Sequence, residues 1–293
     1  MKKVAVLFGG NSDEKEVSLH TGLAVIEAIK EDYEIISINM SDDYSNLNKR
    51  LIDVDIVFIA LHGGYGEDGR LQKYLDKHSI KYTGSGFFAS RIAMDKNKTK
   101  IIAKKNNIPV IEWQMIESQS ESINIKFPVI IKPNDGGSTI GIYYVENENE
   151  FSSSLLSAFS YSNNLMIERY VKGREISVPI LGDQVLPLIE IFPSGFIYDY
   201  NSKYKLNGSK YTIPAEINDN LVRLMSDAAL LIYKAIDCRH YARVDFLLEK
   251  DKFFLLEINT LPGLTSTSLL PKSANFVGLS YKKLIKKIIS LAK

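Results

Sequence analysis

RVDFLLEKDKFFLLEINTLPGLTSTS, residues 243–268, places Arg243, Asp245, Glu257 and Asn259 at the ends of two apolar strands. Side chains alternate faces along a strand, so Glu257 and Asn259 share one face, beside a neighbouring strand that carries Asp245. One acid at a strand end is ordinarily a solvated terminus, but three oxygen ligands on one sheet surface are a metal site. The set holds no Cys or His, and such hard oxygen donors suit Mg²⁺ held jointly by protein and nucleotide phosphates rather than zinc. The stretch therefore reads as a metal-bound phosphoryl-transfer site.

The whole chain is compatible with a soluble enzyme. Its 293 residues allow two or three domains, and 45% hydrophobic with 24% charged residues is ordinary globular composition. A formal net charge of +1 gives no general attraction to nucleic acid or to an anionic membrane. The apolar run at residues 4–8 is too short for a signal sequence, and no run approaches the roughly 20 residues of a membrane span. The single Cys238 cannot form an internal disulfide and reads as a small buried residue. Small, specific ligands and a cytoplasmic setting are expected.

Upstream, residues 4–8 form a continuous apolar run closed by Gly9 and Gly10, as at the start of an α/β unit, with Ser12 or Asp13 placed to cap the next helix. Leu19, Leu23, Ile26 and Ile29 recur at helical spacing, and apolar strands follow at 35–38 and 56–60. This βαβ alternation puts function at strand C-terminal ends. There lies HGGYGEDG (62–69), a candidate site loop, ahead of a helix carrying Leu71 and Leu75. A dinucleotide-binding fold would need GxGxxG here, whereas GGNSDE puts acids where a pyrophosphate would sit.

A Lys-rich helical stretch opens at Met94-Asp95-Lys96 and ends before Asn106. FPVIIKPNDGGSTIGIYYV (127–145) then reads as strand, glycine-rich turn and strand, with Lys132 at the first strand's end. It is not a Walker loop, yet free backbone N–H groups above a Lys can cradle phosphates. Short apolar runs end in Glu168 and follow Glu175, acids suited to a nucleotide's amine or ribose hydroxyls. The Tyr-rich stretch 198–211 lacks apolar periodicity and reads as a long loop of the kind that forms lids. Helical spacing returns with Leu221, Leu224, Ala228, Leu231 and Ala235, and residues 281–292 form an amphipathic helix with a solvated Lys face.

Seven pieces in register carry a family resemblance: FGGNSDEKEVS (8–18), HGGYGEDG (62–69), MDK (94–96), KPNDGGS (132–138), YDYNSKY (198–204), RVD (243–245) and EINTLPGLTSTS (257–268). Over nearly its whole length the chain resembles the ATP-grasp carboxylate–amine ligases, and within them the branch that joins two D-alanines. The resemblance implies a mixed α/β and α+β ATP-grasp fold. An open N-terminal parallel α/β domain (1–90) would be followed by a central subdomain (91–172) and a C-terminal subdomain (173–293), which clamp ATP.

It also implies roles residue by residue. Lys96, Lys132 and Lys203 would contact ATP, with Glu168 and Glu175 at the adenine and ribose. Asp245, Glu257 and Asn259 would hold two Mg²⁺ ions, for which Mn²⁺ can substitute. Glu14 would hold the first D-alanine's ammonium and form a bonded trio with Ser138 and Tyr204. Arg243 and the Gly263 N–H would serve the tetrahedral step, and Ser268 the second carboxylate. The reaction would supply peptidoglycan precursors, and homodimers are the family's habit. Departures are Thr139, where a second Ser is usual, and Thr267, where His is frequent; relatives that make D-alanyl-D-lactate lack the lid Tyr.

Overall fold

Val4, Ala5, Val6 and Leu7 have no polar face, so the strand they form needs cover on both sides, and all four are fully buried. The computed structural model describes residues 1–41, 46–137, 140–193 and 209–292. In it β1 (Lys3–Phe8) lies between β2 (Glu34–Asn39) and β3 (Ile56–Ile59), all parallel, which is the expected N-terminal sheet. The crossover helix Lys15–Ile29 buries Val17, Thr21, Gly22, Val25 and Ile29.

That face differs from the expected one, because Leu23 is 56% exposed. Gly22 decides the rotation: a Cβ added there would lie 2.3 Å from the Phe8 Cβ, so the helix backbone sits directly on β1. The cap differs too. Glu14, not Ser12 or Asp13, occupies the N-cap, with no side-chain capping bond. Ser12 is engaged elsewhere, its hydroxyl donating to the His62 carbonyl at 2.6 Å.

Two antiparallel sheets follow. The four-stranded one has the order β4-β7-β5-β6, from β4 (Trp113–Ile116), β5 (Val129–Pro133), β6 (Tyr143–Val145) and β7 (Leu165–Arg169). The other contains β8 (Arg174–Leu181), β9 (Gln184–Val185), β10 (Ile189–Pro193), β11 (Ser209–Thr212), β12 (Tyr241–Glu249) and β13 (Lys252–Asn259). Its order is β11-β10-β8-β12-β13, with β9 paired to β8. Strand β11 lies at the end of the stretch expected to be loop. SKYT has no apolar alternation, and main-chain pairing to β10, Ile191 opposite Tyr211, makes it a strand.

The helix Asp219–Ala235 covers the larger sheet with Leu221, Met225, Ala228, Ala229, Ile232 and Tyr233. Leu224 and Leu231, expected on that face, are 38% and 42% exposed. The face that meets the sheet is rotated toward Met225, Ala229 and Ile232, where small Ala229 admits close approach. The HGGYGEDG stretch also contains one helical turn, Gly64–Glu67, before the helix Arg70–Lys77.

The cores do not follow chain order. Helices Phe87–Met94 and Lys96–Lys105 give Ala89, Ala93 and Ala103 to the core of the larger antiparallel sheet. Helices Leu269–Phe276 and Tyr281–Leu291 return Leu270, Ala274, Leu284 and Ile288 to the core of the parallel sheet. The segment that follows β13 is therefore held from both ends. No helix among the described residues is long and apolar enough to cross a membrane.

Gly22→Ala separates packing from propensity. Ala is the better helix former by about 1 kcal/mol, yet the overpacking on Phe8 should cost about 1–3 kcal/mol. The thermal unfolding midpoint is expected to fall, and a rise would show that the helix does not seat on β1.

Candidate active site

The two antiparallel sheets face one another across a cleft of about 540 Å³, within the size range of small-molecule sites. Ile130 and Ile142 from one side and Leu247 and Leu256 from the other give it apolar walls, which suits a flat ring. Its polar lining includes Lys96, Lys132, Glu168, Glu175, Asp245 and Glu257, six of the residues singled out in the sequence, along with Arg169, Lys172, Arg174 and Glu190.

The opening stretch supplies one wall. Strands β12 and β13 pair Arg243 with Asn259 and Asp245 with Glu257, before a register shift between Asp245 and Phe246. Directly opposed and alternate residues share a face, so these four side chains form one row, while Val244 and Ile258 point into the core. Arg243 forks onto Asp245, with Nη2 donating to Oδ2 at 2.8 Å and Nε to Oδ1 at 3.0 Å. Ser177, opposite Asp245 on β8, donates to Oδ1 at 2.7 Å.

Among the described residues, no group of three His, Cys, Asp or Glu side chains is placed to hold a metal. The row offers two carboxylates and the Asn259 amide instead. That donor set fits a hard divalent cation whose remaining oxygens come from phosphates and water.

The opposite wall is cationic. Lys96 follows Asp95, which caps its helix by accepting from the Lys98 N–H at 3.0 Å. The Lys96 ammonium donates to the Gly136 carbonyl at 2.5 Å and lies 3.8 Å from Glu257 Oε2, which links the glycine-rich turn to the acidic row. Lys132 Nζ donates to Glu168 Oε2 at 2.5 Å, and Lys100 Nζ lies 2.6 Å from Glu168 Oε1. Burial works to raise the Glu168 carboxyl, but the charges and hydrogen bonds of Lys100 and Lys132 outweigh it and hold the pKa at about 2. In the sheet of the acidic row, Arg174 of β8 forks onto buried Glu190 of β10, at 2.6 and 2.5 Å.

The N-terminal sheet reaches the site through Glu14. A Cβ added to Gly63 would lie 2.8 Å from Glu14 Oε2, and one added to Gly137 would lie 3.2 Å from the same atom. The carboxylate is thus held between the loop after β3 and the glycine-rich turn, and only glycine at φ +67° admits it at residue 63. Beyond β13, a Cβ on Gly263 would lie 3.0 Å from Ser268 Oγ. Ser268 Oγ accepts from the Thr265 N–H at 3.1 Å, so both predicted residues belong to one turn. Ser138, Lys203 and Tyr204 lie outside the described residues.

Two residues were not found by sequence reading. Ser177 and Lys100 carry no motif, and only strand pairing and helix packing bring them to the site. His62, read as a candidate site-lining residue, is instead 5% exposed and ties the helix Lys15–Ile29 to the turn after β13, its ring nitrogens 2.9 Å from Thr21 Oγ1 and the Leu261 carbonyl.

Comparisons with known proteins agree along the chain. Residues 102–290 match the family model for the D-ala D-ala ligase C-terminus, and residues 3–50 and 42–85 match that for its N-terminus. A D-alanine–D-alanine ligase of Syntrophotalea carbinolica is 40% identical, covering 99% of this chain and 95% of its own. The Bacillus anthracis D-alanine–D-alanine ligase complexed with ATP superposes with a TM-score of 0.88 at 34% identity, over 100% of this chain and 97% of that one. The VanG D-Ala:D-Ser ligase of Enterococcus faecalis gives 0.86 at 30% identity, over 100% and 99%.

The Glu168 ion triad makes a pH prediction. A carboxyl held below its ordinary value contributes stability that is fully present above the unfolded pKa and lost as pH falls through the folded one. Glu168→Gln should therefore be less stable than wild type at neutral pH, by on the order of a few kcal/mol for a buried pair. The gap should narrow as pH falls from about 4.5 toward 2. Unfolding midpoints measured across that window check it, and a constant gap would contradict the ionised triad.

Proposed function

The chain belongs to the D-alanine–D-alanine ligase family, and on that premise we propose that it joins two D-alanines at the expense of ATP, for peptidoglycan precursor synthesis. The observation that carries the reading is the row Arg243, Asp245, Glu257 and Asn259, from which Asp245 and Glu257 line, together with Lys96 and Lys132, an ATP-sized cleft between two sheets.

Lys96 and Lys132 contact the phosphates, and Lys203 joins them from the lid. Glu175 takes the ribose. Glu168 takes the adenine amine; its Oε2 accepts from Lys132 and its Oε1 lies 2.6 Å from the Lys100 ammonium, and a carboxylate oxygen has more than one lone pair to offer. Asp245, Glu257 and Asn259 hold Mg²⁺, two ions in the family's pattern, with Mn²⁺ able to substitute. When bound, the metal neutralises charge on the transferring phosphoryl group.

Glu14 binds the first D-alanine's ammonium by a charge-assisted hydrogen bond and so aims its carboxylate at ATP. A carboxylate oxygen bonds to the γ-phosphorus, the bond to the β,γ-bridging oxygen breaks, and ADP leaves. Ser268 holds the second D-alanine's carboxylate; that substrate's ammonium passes a proton to Tyr204 or Ser138, and the freed amine attacks the acyl carbon. The Gly263 N–H and Arg243 stabilise the resulting oxyanion, a contribution of about 3 kcal/mol for one such donor. Phosphate then leaves with the acyl-oxygen electrons, takes the remaining extra proton of the attacking nitrogen, and the dipeptide forms. Ser138 and Tyr204 complete the trio with Glu14 and exclude water from the acyl phosphate. The same reading divides the chain at 1–90, 91–172 and 173–293, and places a homodimer in the cytoplasm.

The test is ATP-dependent phosphate release with D-alanine, L-alanine, D-serine and D-lactate supplied in turn. Release is expected with D-alanine and not with L-alanine or D-lactate. No D-alanine-dependent release at neutral pH would refute the proposal, and preferred incorporation of D-serine would redirect it to the chemistry in the name of the VanG relative. Glu257→Gln should lower turnover by on the order of 100-fold or more, the scale of losing one preorganised electrostatic contact, with an unchanged melting temperature. Near-normal turnover would remove Glu257 from the metal site.

A further inference from the structure

Lys100 is an ammonium with no exposed surface, and Lys side chains are almost never fully buried unless paired. It sits on the helix Lys96–Lys105, one turn beyond Lys96. Its Nζ lies 2.6 Å from Glu168 Oε1, 3.5 Å from the Leu255 carbonyl and 5.7 Å from the centre of the Trp113 ring. Burial pulls its pKa down, and the Glu168 carboxylate opposes that pull. Lys132 and Glu168 would already be a matched pair without it, so a third buried charge needs a reason.

The reason lies in the carboxylate. Lys132 takes Oε2 of Glu168, and Lys100 takes Oε1. Without Lys100, Oε1 would have no cation in a dry site, and Glu168 could turn both oxygens toward Lys132 and withdraw its ammonium from the cleft it lines. With Lys100 in place, two ammonium groups share one carboxylate, and a net positive charge remains at the cleft wall. We propose that Lys100 is a positioning residue for nucleotide binding: through Glu168 it fixes the Lys132 ammonium at the phosphate end of the cleft. This rests on the reading of the cleft as an ATP site. Lys100 touches no substrate; it acts at one remove, and its helix also carries Lys96, so one element sets both phosphate-facing cations.

The experiment is calorimetric titration of ADP, with magnesium chloride present, into the full-length protein and its variants, alongside steady-state KM values for ATP and D-alanine. Lys100→Met should weaken ADP binding by about tenfold, the scale of a pair coupled by 1.4 kcal/mol. It should raise the KM for ATP and leave that for D-alanine unchanged, while Lys100→Arg recovers most of the affinity. In a Glu168→Gln background, adding Lys100→Met should change ADP affinity by less than about threefold, because the link is already cut.

ADP affinity within twofold of wild type in a folded Lys100→Met protein would overturn the inference and leave Lys100 a core residue only. Should Lys100→Met not fold, the comparison of Glu168→Gln with the double variant decides: a further tenfold loss would mean that Lys100 acts without Glu168, and the inference fails. If wild type itself binds no ADP, the ATP-site reading fails first, and the wild-type titration alone reveals it.

Discussion

One strand register holds the rest together. Asp245 lies opposite Glu257 and Arg243 opposite Asn259, and because strand faces alternate strictly, a slip of one residue would send the whole row into the core and bring Val244 and Ile258 to the cleft. The apolar residues between these positions are what forbid the slip. Val244 and Phe246 are fully buried and Ile258 nearly so, so the core that stabilises β12 and β13 also fixes where their polar groups point. The shift after Asp245 ends that strict pairing where the chemistry ends.

Around this row the cleft solves an electrostatic problem. Phosphates need cations that stay charged out of bulk water, and a buried lysine tends to lose its proton. The molecule answers by giving each cation a local acceptor. Lys96 has the Gly136 carbonyl and Glu257, and Lys132 has Glu168, which Lys100 holds from behind. Arg243 lies on Asp245 in the same way. Such pairs are expensive to half-dismantle, and this binds the glycine-rich turn, the Lys96–Lys105 helix and both antiparallel sheets into one cleft.

Much of this was legible in the chain. The ends of two apolar strands bear Arg243, Asp245, Glu257 and Asn259 in a two-residue period, and that period survives folding because it is local. The parallel start, the Lys-rich helix ending before Asn106 and Cys238 as a buried residue followed from equally local patterns. What escaped depended on a partner far along the chain. NKTKIIAKK looks like a solvated face, and only packing of its helix against β13, with Glu168 of β7 within reach, makes Lys100 a buried cation. Ser177 is one serine in an apolar strand until β12 places Asp245 beside it. Leu23, Leu224 and Leu231 have the right spacing for a core stripe, but a neighbouring stripe with Gly22, or with Ala229, lets the backbone come closer. His62 had the position of a site residue and serves as a tie, since its ring meets a carbonyl from the turn after β13.

If the strand register places the acidic row for a nucleotide-bound metal, a crystal structure grown with ADP and Mn²⁺ should reveal it. Anomalous scattering from Mn²⁺ is expected between Asp245, Glu257 and Asn259, with the diphosphate reaching toward Lys96 and Lys132. Manganese bound elsewhere, or a nucleotide seated outside the cleft between the two antiparallel sheets, would contradict it.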